Sequence, residues 1–105
     1  MKLTEVINDK GSSFHMSTIH TTPQRLMDLA DKNDIPYGDF NDGTDKVNFD
    51  FSFQTNNDLA LQFTVYDWKE YKPLDLNREY RFHIGGVDRQ STEQAKKLLT
   101  KLLQL

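Results

Sequence analysis

Three histidines, His15, His20 and His83, and no cysteine stand in this chain. Disulfides, thiolate nucleophiles and cysteine-rich zinc sites are therefore excluded. His15 and His20 sit in a stretch that reads as a strand. Their odd spacing there directs them to opposite faces, which makes them a poor metal pair. No carboxylate–histidine spacing completes a site around them. Asp67 and His83 could exchange a proton if their strands were neighbours, but strict alternation sends Asp67 inward with Phe63 and Val65 while His83 points outward. Nothing resembles a serine elbow or a paired catalytic carboxylate signature. The glycine-containing stretch from Pro36 to Gly43 follows no strand and precedes no Gly-Lys-Ser/Thr, so it is not a phosphate cradle. The expectation is a protein that is not an enzyme and carries no metal and no cofactor.

Residues suited to recognition are easier to find. Phe63-Thr64-Val65-Tyr66-Asp67-Trp68-Lys69-Glu70-Tyr71 reads as a strand running out into a charged aromatic turn that holds the single tryptophan. Tyr66, Trp68, Lys69 and Tyr71 are candidate contact residues, because large amphipathic rings give contact area at low side-chain entropy cost. Arg81 and His83 join them if their strand presents the same face. Trp68 has a second reading, in which it turns back to close the edge of the core. A separate candidate is acidic: seven aspartates face two lysines between Asp28 and Asp50, among them Asp39, Asp42 and Asp45. Aspartates set turns, and a solvated loop accounts for them; the sharper reading is a surface that meets a basic partner or imitates nucleic-acid phosphates.

Size and composition bound these options. A chain of 105 residues fits a single domain, residues 1–105, and a domain of this size buries about two thirds of the surface its unfolded chain exposes. A formal net charge of -3 argues against direct binding of nucleic acid, which needs a basic patch. No stretch approaches the roughly 20 apolar residues that span a bilayer. Met1 to Lys10 carries charges throughout and has no apolar central run, so neither a signal peptide nor a membrane partner is expected and a cytoplasmic location is.

The elements that must position these residues follow from period and punctuation. Leu3, Val6 and Ile7 are too few to assign the N-terminus, Asn8-Asp9-Lys10-Gly11 has turn chemistry, and Ser13 to His20 suggests a strand. Thr22-Pro23 is a helix start, with Leu26, Met27, Leu29 and Ala30 as its buried stripe and an end before Pro36. From Asp45 the period becomes two: Val47, Phe49, Phe51 and Phe53 point inward, and Lys46, Asn48, Asp50 and Ser52 outward. Asn56-Asn57-Asp58 turns the chain into Leu61, Phe63 and Val65, a hairpin partner. Lys69 to Asn77 connects to a third strand with Tyr80, Phe82 and Ile84 inward, which Gly85-Gly86 is expected to end through a turn or a close backbone approach. Ser91 and Gln94 have the spacing of a capping box for a last helix with Ala95, Leu98, Leu99, Leu102 and Leu103 on its apolar side and Lys96, Lys97 and Lys101 outside.

The order β-α-β-β-β-α predicts an α+β fold, a short antiparallel sheet with two helices packed on one face. The opposite face would collect Asn48, Asp50, Ser52, Gln62, Thr64, Tyr66, Arg81 and His83, with Trp68 at its end. An open sheet edge would also allow homo-oligomerisation by strand pairing.

Asp45-Lys46-Val47, Tyr66-Asp67-Trp68-Lys69 and His83-Ile84-Gly85-Gly86, in this order, give the last 60 or so residues, about the span of the smallest self-sufficient domains, a resemblance to a loose set of small, mostly uncharacterised phage and prophage proteins. The resemblance implies an accessory factor that binds and inhibits a host defence protein, in the manner of an anti-CRISPR, with a host protein as partner and the host cytoplasm as location. The absent catalytic constellation, the aromatics on the open side and the clustered aspartates agree with that expectation. The alternative is a binder that sequesters a nucleotide-like signal, with Tyr66 or Trp68 stacked on a base and Arg81 holding a phosphate.

Overall fold

The computed structural model describes residues 3–6, 11–39, 41, 47–56, 61–68 and 72–105. The phenylalanine alternation forms the strand at its centre: Phe49, Phe51 and Phe53 are wholly buried and stack along one side of Phe49–Thr55 (β4). Gln62–Tyr66 (β5) pairs antiparallel to it, Phe51 opposite Val65 and Phe53 opposite Phe63, and Tyr80–Gly86 (β6) follows with Val65 opposite Ile84. Ser13–Thr21 (β2) lies outside β6, and the two-residue strands Leu3–Thr4 (β1) and Gly38–Asp39 (β3) both line the far side of β4. Among the described residues the result is one antiparallel sheet of six strands, in the order β1-β4-β5-β6-β2 with β3 beside β4.

Both helices cover the same face. Pro23–Lys32 (α1) starts as expected, with the Thr22 hydroxyl accepting from the Arg25 N–H at 3.1 Å and Pro23 in the first turn. Leu26, Leu29 and Ala30 are buried against the sheet. Arg89–Leu102 (α2) packs across β2, β6 and β5 through Thr92, Ala95 and Leu99, with Leu103 buried just beyond its end. The α+β architecture with two helices on one face is thus the observed one. β1 and β3 are additions to the expected order, each too short to carry a period.

Three local expectations are corrected. The N-cap of α2 is Asp88, whose Oδ1 accepts from the Ser91 N–H at 2.7 Å, so Ser91 stands inside the first turn rather than before it. As expected, the glycine pair ends β6, whose last residue is Gly86. A Cβ on Gly85 would come within 2.5 Å of Thr64 Oγ1 and 2.6 Å of Ser12 Oγ, so the glycine serves close approach rather than a turn. Asn48 is fully buried, not on the open face: its side-chain amide donates to Asp67 Oδ2 and to the Lys72 carbonyl, both at 3.0 Å. Finally, β2 carries a bulge, since Phe14 pairs with Gly85 but Ser17 with Ile84, leaving His15 and Met16 without partners and Met16 at φ 71°. The turns expected at residues 8–10 and 57–58 lie outside the described residues.

Loop residues are held by side-chain bonds that stand in for a ladder. Asn41 donates to the Leu74 carbonyl at 3.0 Å and accepts from the Leu74 N–H at 2.6 Å, tying the long connection before β6 to the segment after β3 and burying Leu74. No described helix is long and apolar enough to cross a membrane.

Candidate functional site

The register of the central strands places one row of side chains across the uncovered face. Asp50 is directly opposite Tyr66, Tyr66 opposite His83, and His83 opposite Thr18; on the outer side Gly38 of β3 faces Asp50 without a side chain. A carboxylate, a phenol, an imidazole and a hydroxyl thus follow one another over four strands.

Rings extend the row diagonally. The bulge in β2 inserts two residues, which preserves the alternation and brings Phe14 onto this face; its ring stacks on His83 with centroids 4.2 Å apart and planes 17° from parallel. Tyr66 meets the other side of His83 at 5.6 Å, and Trp68, two residues further along the chain, stands edge-on to Tyr66 at 6.5 Å and 86°. Phe14 is 37% and Trp68 43% exposed, so the tryptophan does not close the core. Arg81 is exposed on the same face, opposite His20. Beyond Phe14, the hydroxyls of Ser12 and Thr64 share a hydrogen bond of 3.0 Å over Gly85, beside a cleft of about 280 Å³ bordered by Glu5, Pro36, Ser52 and Gln62.

Desolvation tunes the electrostatics along the row. Desolvation, with Asp67 close by, raises the Asp50 carboxyl above the ordinary carboxylate value. Desolvation and the Asp50 charge raise the Tyr66 phenol, and desolvation with the neighbouring Arg81 lowers His83. His83 is therefore a neutral imidazole near neutrality. Among the described residues no hydrogen bond joins the side chains of Asp50, Tyr66 and His83. What it offers is ring area, one carboxylate and one neutral imidazole.

Of the expected contact residues, Tyr66, Trp68 and His83 come together and Arg81 borders them. Asp39 is exposed but sits on β3 opposite Phe49, beside the ring row rather than within it. Lys69, Tyr71, Asp42 and Asp45 lie outside the described residues. Asp67 is buried on the inner side, as the alternation demands, and holds the start of β4 instead of meeting His83. His15 and His20 are separated by the bulge, His20 on the open face and His15 in a cleft beside α2; no cluster of three metal-ligating residues exists among the described residues. Phe14 stands outside the expected set, and only its alternation with Thr18 and His20 hints at its face. Asp50 was legible as an open-face residue, but its place beside Tyr66 depends on register. Comparison with protein-family models, with curated proteins and with solved structures found no match.

Proposed function

We propose that this chain is a non-enzymatic binding protein that docks a partner protein on the uncovered face of its sheet. The observation that carries this is the continuous ladder of rings Phe14, His83, Tyr66 and Trp68 over β2, β6 and the end of β5, on the side that neither helix covers. Aromatic side chains gathered at a partly exposed patch are the usual anchors of protein interfaces. The motif resemblance to small phage proteins supplies the context: an accessory factor whose partner is a host defence protein, inhibited by occupation of its working surface.

The test is affinity capture from a bacterial host lysate at physiological salt, followed by reconstitution with the purified partner. A single host protein should be retained by the wild-type chain and lost with the combined Tyr66→Ala, Trp68→Ala substitution. Retention of nothing, or equal retention by both forms, would sink the proposal.

A nucleotide-like ligand is the second reading, supported by Arg81 standing on the same face as the stacking rings. It predicts that nucleotides or cyclic nucleotides change the fluorescence of Trp68, the single tryptophan. A flat titration would exclude it.

A further inference from the structure

Resting on the proposal that the ring face binds a protein, the geometry points to the chemistry of the group it receives: we propose that the corner between Asp50, Tyr66 and Trp68 takes the guanidinium of an arginine on a basic partner surface.

Three features converge on this corner. First, the carboxylate of Asp50 has neither an ion pair nor a hydrogen bond among the described residues. The Asp50 side chain is exposed and so within a partner's reach, while desolvation by its neighbours and the nearby carboxylate of Asp67 both make its charge costly until a cation arrives. Second, the residue of β3 opposite Asp50 is Gly38, which places no side chain against it, while its other flank is the Tyr66 phenol. Third, Tyr66 and Trp68 meet at 86°, giving two nearly perpendicular ring walls. A planar cation can lie along the Tyr66 ring, bordered by Trp68, while its N–H groups reach the carboxylate. Guanidinium suits this better than ammonium, being flat, weakly hydrated and able to stack on rings while donating in its own plane.

The surrounding charge agrees. The chain carries a formal net charge of -3, and the exposed Asp39 stands on β3 next to Gly38, the residue that faces Asp50. This field attracts a basic surface and orients its approach. Further along the row His83 stays neutral and offers a ring nitrogen without repulsion, and Arg81, two residues before it on β6, puts a cation on that side of the face. The arginine is therefore seated at the Asp50 end and not at the β2 end.

The full chain, isotopically labelled, is titrated with N-acetyl-glycyl-arginyl-glycinamide and, separately, with the neutral citrulline analogue, following amide and indole N–H signals by NMR. The arginine peptide should move the Trp68 indole and the Asp50 and Tyr66 amides in a saturable way, and the citrulline peptide should not. Asp50→Asn should weaken the arginine peptide by about threefold, the fold-change typical of one exposed ion pair, whereas Asp31→Asn, an equal change of net charge on α1, should leave it nearly unchanged. Equal responses to both peptides, or undiminished binding by Asp50→Asn, would overturn the assignment. If the host partner is captured through Tyr66 and Trp68 while the arginine peptide fails, this inference falls and the binding face stands. If the peptide binds and no partner is captured, the reverse holds.

Discussion

The buried carboxylate of Asp67 accepts hydrogen bonds from the backbone N–H groups of both Asn48, at 2.9 Å, and Phe49, at 2.8 Å, and so fixes where β4 begins. It also accepts from the Asn48 side-chain amide at 3.0 Å. Removing this acceptor leaves three donors buried in a place that no water reaches freely. Asp67→Ala should lower the unfolding free energy by about 3 kcal/mol, as expected for a charged acceptor lost from buried donors. Urea denaturation measures it, and a change indistinguishable from zero would show that the strand start is held by packing alone.

Gly85 lies under the Ser12–Thr64 hydroxyl pair, with no room for a methyl group between them. Gly85→Ala should cost about 1–3 kcal/mol, the range for overpacking a well-filled site. In a Ser12→Ala, Thr64→Ala background the same substitution should cost much less, because the atoms it meets are gone. Additive costs in a double-mutant cycle would place the strain elsewhere.

Asp88, not Ser91, caps α2. Asp88→Ala should therefore lower the melting temperature and the helical ellipticity, since the N–H of Ser91 loses its acceptor. Ser91→Ala removes no capping side chain and should change little. The opposite ranking of the two variants would restore Ser91 as the cap.

Two groups in the central row make stability depend on pH in opposite senses. His83 titrates below its ordinary value in the folded chain, so the unfolded chain takes up its proton first; stability is whole above the ordinary value and is lost as pH falls through the lowered one. Asp50 titrates above its ordinary value, so the stability its protonated form contributes is present at low pH and lost as pH rises through the raised value. His83→Gln should thus flatten the fall in melting temperature between about pH 7 and about pH 5, and Asp50→Asn should raise the melting temperature near about pH 7 but not near about pH 3. A His83→Gln profile parallel to wild type, or an Asp50→Asn gain that persists in acid, would contradict these directions.

Much of the scaffold is written in local period. Phe49, Phe51 and Phe53, then Phe63 and Val65, then Phe82 and Ile84, each alternate with polar residues, and Thr22-Pro23 opens a helix with an apolar stripe; all occupy the burial those patterns demand. Period is a property of a few consecutive residues, so the α+β class and the composition of the open face follow from the sequence by itself. The remainder was decided by non-local pairing. That β6 lies between β5 and β2, that Asp50, Tyr66 and His83 share one row, and that Phe14 stacks on His83 depend on register between segments far apart in the chain. The burial of Asn48 likewise reverses its alternation because Asp67, nineteen residues away, supplies the partner that makes a buried amide tolerable. Trp68 could close the core or face solvent on sequence grounds, and it faces solvent because Asp67, not the ring, fills the inner position at the end of β5.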